Sequence, residues 1–245
     1  MIHILRAEER LSIGNGPFRL KRIRPGLTFS KGKDTGLGPL GLIDHALVQP
    51  GLVVAMHQHV NDEILSYPRQ GSVIHEDTIG EKVELNNSNF MMMNAGSGVS
   101  HQETVNGNTW LEMLQIFVRP SAADLEPLVS FYRFPENISR NTWRLVAGPA
   151  AVDAPLTFRN EVTFYDLLLS SGERADTFDL ETLTGFLYVF SGSLLLENSG
   201  VILSKGDGVI IAREQLRISA TDEAQVVMFL VDLHADITRK GTLSG

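Results

Sequence analysis

The chain has 245 residues, 43% of them apolar and 20% charged, enough to bury one large core or two small ones. Its net charge of −8 argues against nucleic acid as the main partner, and the lack of cysteine excludes disulfides, thiolate metal sites and cysteine nucleophiles. Charge in Met1–Arg10 where a signal peptide needs an apolar run, and apolar runs too short for a bilayer, predict a cytoplasmic protein with no membrane partner.

Residues 1–40 are mixed. Phe18 to Ile23 alternate loosely, and Arg19, Lys21, Arg22, Arg24, Lys31 and Lys33 form a basic cluster. That cluster is either a solvated strand edge or a surface for an anion or protein partner. Thr35-Gly36-Leu37-Gly38-Pro39 continues a glycine-rich loop that lacks the phosphate-loop pattern.

From 41 to 118 the chain reads as short strands: Leu42–Val48, Leu52–Met56, Glu63–Tyr67, Ser72–Glu76, Lys82–Leu85, Phe90–Met93, Val99–Glu103 and Trp110–Val118. Pro50-Gly51, Pro68 to Gly71, Asn86-Asn87 and Asn106-Gly107-Asn108 punctuate them as turns. Many short strands at close spacing predict a sandwich or barrel. Residues 121–142 read as a linker in which Pro120 to Glu126 has room for one turn of helix. Strands resume at Trp143 and run to about Leu233, and His234–Gly245 reads as a polar, frayed tail.

The second half echoes the first. Pro50-Gly51 corresponds to Ser171-Gly172, and Gln70-Gly71-Ser72-Val73 to Ser191-Gly192-Ser193-Leu194, both at an offset of 121. A tandem duplication of one barrel follows. The offset carries His57 and His59 onto Phe178 and Leu180. Matching Ala95 to Ala212 then places His101 and Glu103 on Ile218 and Ala220. The second barrel is expected to lack metal ligands.

The chemistry concentrates in His57-Gln58-His59 and His101-Gln102-Glu103. Residues two apart on a strand share a face, so each pair aims together. If the two strands are neighbours, three imidazoles and one carboxylate converge on a point fit for a divalent transition metal. Gly51, His57, His59 and Glu63 follow the spacing G-x5-H-x-H-x3-E, which matches the first motif of the cupin barrels. Glu63 is a candidate to orient an imidazole, or forms a salt bridge at the barrel mouth; His75 is a candidate support residue or a turn residue. Phe90, Met91-Met92-Met93 and Phe117 are either pocket lining or core, and core is the commoner fate of methionine.

With Gly71 to Asp77, Gly80 and Ala95 to Glu103, these residues resemble the pirin family, bicupins whose first barrel carries a metal. The resemblance implies an all-β bicupin of two tandem antiparallel jelly-roll barrels with a few short helical segments. It places the metal barrel over 1–120, a linker over 121–142, the barrel without ligands over 143–233 and a tail over 234–245. It implies metal ligands His57, His59, His101 and Glu103. From the chemistry of the site, Glu103 is the candidate catalytic residue, either staying a ligand or swinging off to take the substrate's hydroxyl proton. Gln58, where the family usually has proline, Pro68 after Tyr67, and Phe29-Ser30-Lys31 depart from the family pattern and bear on pocket shape.

The resemblance favours Fe(II), while the donor set also accommodates manganese, cobalt, nickel, copper and zinc. The implied activity is a flavonol (quercetin) 2,3-dioxygenase acting on a small planar hydroxylated aromatic molecule and O2. The implied alternative is a redox-responsive metal-binding regulator that docks on transcription or metabolic proteins through the Arg19–Lys33 cluster.

Overall fold

The computed structural model describes residues 1–29 and 34–245. Lys31, Gly32 and Lys33, from the basic cluster and the glycine-rich loop, lie outside the described residues. The first strands are β1 (Ile2–Leu5), β2 (Leu11–Ile13), β3 (Phe18–Ile23) and β4 (Leu40–Val48), with the short helix α1 (Gly26–Phe29) before β4. Next come β5 (Val53–His59), β6 (Glu63–Gln70), β7 (Ser72–Asp77), β8 (Lys82–Leu85), β9 (Asn89–Asn94), β10 (Val99–Asn106), β11 (Leu111–Val118) and β12 (Leu128–Arg133). The second half supplies β13 (Arg144–Pro149), β14 (Leu156–Phe158), β15 (Val162–Leu169), β16 (Arg174–Asp176) and β17 (Thr184–Ser191). It ends with β18 (Ser193–Leu196), β19 (Val201–Ser204), β20 (Gly208–Ala212), β21 (Arg217–Ala220) and β22 (Ala224–Val231).

These strands make two jelly rolls in tandem, the all-β bicupin architecture. One jelly roll sets a seven-stranded sheet, β12-β9-β6-β11-β4-β3-β2, against a four-stranded one, β5-β10-β7-β8. The other sets β1-β20-β17-β22-β15-β13-β14 against β16-β21-β18-β19. The large sheets pack on each other, so their central strands are buried on both faces. This explains the unbroken apolar run Phe90 to Met93: Met91 and Met93 enter the first barrel, while Phe90 and Met92 enter the core between barrels. The small sheets have one wet face, and their strands alternate. In β7, Val73, His75 and Asp77 are buried and their neighbours are half-buried.

Chain order and spatial order differ in three places. β1 pairs with β20 of the second barrel, where Ile2 and Ile4 cover the edge of an apolar strand. The expected linker contributes β12, which pairs with β9 of the first barrel. Its opening, Pro120 to Glu126, holds no helix. There Asp124 takes a left-handed conformation and exchanges hydrogen bonds with the side chain of Asn61. The tail is not frayed either. Leu243 and Ser244 bind the buried carboxylate of Asp62, and the Arg119 guanidinium donates to the Ser244 carbonyl. Pro68 does not break its strand: β6 runs through it, because Pro68 faces β11 at a register shift next to Met113.

The internal echo is visible in the backbone. Gly51 and Gly172 both have φ of 80°, and Gly71 and Gly192 have φ of 72° and 75°, left-handed turns that favour glycine. The register of the second barrel is two residues away from the sequence expectation. Val105 faces Val73 and Ala220 faces Leu194, its 121-offset counterpart. Leu216 and Ile218 therefore stand where His101 and Glu103 stand in the first barrel. Both are fully buried in an apolar core with Leu180. A slip of two keeps the same face, which is why the expectation of an apolar interior survives the error.

The barrels are also joined by buried polar pairs. Glu63, fully buried, accepts from the Arg159 guanidinium at 2.9 Å and the Arg159 amide at 2.6 Å. Tyr67 donates to Asp166 at 2.8 Å, and Arg144 holds the same carboxylate. Substituting Arg159→Met leaves the Glu63 carboxylate buried without its counter-charge. The expected outcome is a loss of about 3–5 kcal/mol in chemical denaturation, most of it recovered in Glu63→Leu/Arg159→Met.

Candidate metal centre

Strand pairing builds the site. β10 lies between β5 and β7, with His101 opposite His57 on one side and Asp77 on the other. Glu103 faces Val54 rather than Ala55, because the β5–β10 register shifts between His101 and Glu103. This bulge gives β5 an extra residue and turns His57 back towards the Ala55 carbonyl. The imidazole rings of His57, His59 and His101 stand 4.5–5.2 Å apart, centre to centre. One nitrogen from each lies within 4.8 Å of the others.

The hydrogen bonds fix which nitrogen faces the centre. His57 Nδ1 is 2.8 Å from the Ala55 carbonyl, which can only accept, so Nδ1 carries the proton. His59 Nδ1 is 3.1 Å from the Asp62 carboxylate. That carboxylate is fully buried and also accepts from the Leu243 and Ser244 amides and the Ser244 hydroxyl. Asp77 accepts a hydrogen bond from the His75 Nε2–H at 2.8 Å, while its other oxygen accepts from the amides of Ile79, Gly80 and Glu81. His75 Nδ1 must then accept, and its partner at 3.3 Å is His101 Nδ1. All three rings are thereby left with an Nε2 lone pair. His101 Nε2 is buried without a hydrogen-bond partner. An orphaned lone pair costs free energy unless a hydrogen-bond donor or a cation meets it, and three Nε2 lone pairs converging on one point are a donor set that fits a divalent transition metal.

Electrostatics disfavour protonation of His101 and His57. Burial, then the imidazoles of His57, His59 and His75, push His101 down to about 2. Burial also lowers His57, against the Ala55 carbonyl. Glu103 lies beside His101 and His75 rather than in the three-histidine group. Both its oxygens share the Gln115 amide, at 3.0 and 3.1 Å. Burial raises the Glu103 carboxyl to about 7, with Gln115 opposing. Behind Glu103 lies a cavity of about 30 Å³, walled by Val54, Val73, Val105 and Met113. A carboxyl raised on folding favours the protonated native state. Metal-free protein should therefore lose stability, on the order of 3 kcal/mol, as pH rises from 4.5 to about 7, and level off above. Denaturation midpoints across that range check this, and Glu103→Gln should flatten the slope.

The other candidates sort clearly. His75 has both ring nitrogens taken, by Asp77 and by His101. Glu63 does not orient an imidazole: it sits on β6 of the opposite sheet, and both its oxygens go to Arg159. Phe117 packs 6.0 Å from His59, and the methionines are core. The basic cluster splits by strand alternation, with Arg22 paired to Asp44 while Arg19 and Lys21 point to the other side of β3. Asp62, Asp77 and Gln115 were not singled out from the sequence. Asp77 stands two residues beyond His75 on one strand, a signal that was available. Asp62 and the tail meet only through the fold.

Two family models match the chain: Pirin over residues 32–118 and the quercetinase C-terminal cupin domain over 145–233. A quercetin 2,3-dioxygenase of Escherichia coli is 28% identical over 196 residues, 79% of this chain and 83% of that protein. A pirin-like protein of Caulobacter vibrioides is 26% identical, over 74% of this chain and 78% of its own. The crystal structure of the bacterial pirin YhhW of Escherichia coli in complex with nickel(II) superposes with a TM-score of 0.81 at 25% identity. The match covers 95% of this chain and 99% of YhhW. The two models together account for most of the chain, one for each jelly roll: the chain belongs to the pirin family.

Proposed function

We propose that the chain is a metal-dependent oxidoreductase of the quercetin 2,3-dioxygenase type. Its metal would be held by the Nε2 atoms of His57, His59 and His101, with Glu103 as the fourth ligand. The carrying observation is the set of three Nδ1-tied imidazoles around the orphaned His101 Nε2. The names of the relatives supply the substrate class, a planar hydroxylated aromatic molecule with O2. Fe(II) is the metal favoured by the family resemblance. The nickel(II) complex of YhhW extends the choice to nickel, and the donor set admits manganese, cobalt, copper and zinc. Such a metal supplies Lewis acidity towards an ionised hydroxyl and a path for electrons to O2.

The protein's own groups have definite tasks. Glu103, the carboxylate beside His101 and His75, is placed to bind the metal or to take a phenolic or enolic proton. Gln115 holds its carboxylate in place from β11. The cavity behind Glu103 has room for about one water-sized molecule and none for an aromatic ring. A flavonol would therefore lie across the mouth, where His57 is half-buried and Met56 is 47% exposed, with one hydroxyl edge turned inward.

Two measurements test this reading. Elemental analysis should find about one metal per chain, lost in His57→Ala together with decay of the flavonol absorption band in air. Metal that binds without turnover would instead favour the non-enzymatic, metal-responsive binding protein. In His75→Phe the His101 ring loses its orienting acceptor. Metal affinity measured by titration should fall about 10- to 100-fold while the protein stays folded.

A further inference from the structure

A second cavity, of about 430 Å³, opens between the barrels, outside the metal centre. Its size is that of a site for a small organic molecule. The floor is polar but self-satisfied. Tyr188, fully buried and kept protonated by burial, donates to His45 Nδ1 at 2.6 Å. The neutral His45 donates its Nε2–H to the Glu112 carboxylate at 2.9 Å, and Lys205 reaches the same carboxylate at 2.5 Å. Burial alone would raise the Glu112 carboxyl, yet these two partners hold it at about 2. Glu112 and Lys205 therefore cancel.

Three further cations reach the cavity: Arg10, Arg19 and Lys21. The nearby Asp207 is engaged by Arg6 and the Ala7 amide. Among the described residues, Arg19 and Lys21 have no carboxylate partner; Arg19 only lies 5.0 Å over the Trp110 ring. Arg10 is stacked 5.4 Å over Tyr188; its Nη2 donates to the Leu5 carbonyl at 3.1 Å, while its Nε is buried without an acceptor. Two cations without a carboxylate partner, beside a third, Arg10, that has only the longer-range pull of Asp207 and Glu9, are conspicuous around one cavity in a chain of net charge −8. Between them the walls are apolar, from Ile13, Leu47 and the Tyr188 ring.

We propose that this cleft binds an organic anion with an apolar body, an aryl or alkyl carboxylate or sulfonate. The anionic group meets Arg10, Arg19 and Lys21, and the body lies on Ile13, Leu47 and Tyr188. The proposal stands apart from the metal centre. The cleft and the centre lie on opposite faces of β11: Glu112 points out to the cleft, whereas Gln115 points in to Glu103.

The probe is 8-anilinonaphthalene-1-sulfonate, followed by fluorescence, with neutral 1-anilinonaphthalene as its uncharged counterpart. Saturable one-to-one binding of the sulfonate is expected, displaced by benzoate. The exposed pair Arg19→Gln/Lys21→Gln should weaken it about tenfold without changing the melting temperature or the binding of the neutral probe. Ile13→Glu, which sets a carboxylate on the apolar wall, should abolish it. Equal sulfonate binding in the double variant and the wild type would overturn the proposal. So would neutral probe binding as tightly as the sulfonate, or inorganic phosphate displacing the sulfonate as well as benzoate does.

Discussion

Three imidazoles facing one another inside a barrel is an arrangement that water does not favour. Each buried ring nitrogen needs a partner, and each pair of rings would repel if protonated. The first barrel meets the condition with one acceptor per ring: the Ala55 carbonyl for His57, Asp62 for His59, and His75 for His101. Each acceptor has its own support. The β5 bulge places Ala55, the segment Leu243–Ser244 closes around Asp62, and Asp77 fixes the His75 tautomer. The site's order is thus inherited from backbone features up to 182 residues away in sequence. Metal ligands held through such supporting bonds gain orientation and basicity.

The same accounting explains the contrast between barrels. In the second, the equivalents of His101 and Glu103 are Leu216 and Ile218, and the equivalent of His75 is Leu196. The interior closes as a plain apolar core that needs no acceptors. One copy keeps polar groups and their supports, the other keeps only packing, and the two stabilise each other through a shared apolar face. Phe90, Phe164, Phe186 and Phe229 lie in that face, with Tyr67–Asp166 and Tyr188–His45 as its buried polar crossings.

β11 ties these parts together. Its inner residues, Met113, Gln115 and Phe117, line the metal barrel, and its outer residues, Leu114 and Ile116, join the core between barrels. With period-two alternation, one strand serves a carboxylate with a raised pKa on one side and a cationic cleft on the other. A small cavity behind Glu103 and a large one between the barrels are consequences of that division.

Much of this was legible in the residues alone. Glycines at fixed spacing announced two copies of one barrel, and alternation put His57 with His59 and His101 with Glu103, because strand periodicity is local. The apolar interior of the second barrel was legible for the same reason, even though its register was misread by two. What the sequence could not decide is everything that depends on which strands become neighbours. β1 crosses to the second barrel, β12 returns to the first, and Glu63 turns to Arg159 instead of an imidazole. The tail that reads as polar and loose is held because a buried carboxylate needs donors, and Leu243 and Ser244 are where the fold supplies them. Local pattern fixed the faces of the strands, and long-range pairing, driven by the need to cover edges and satisfy buried polar groups, chose their partners.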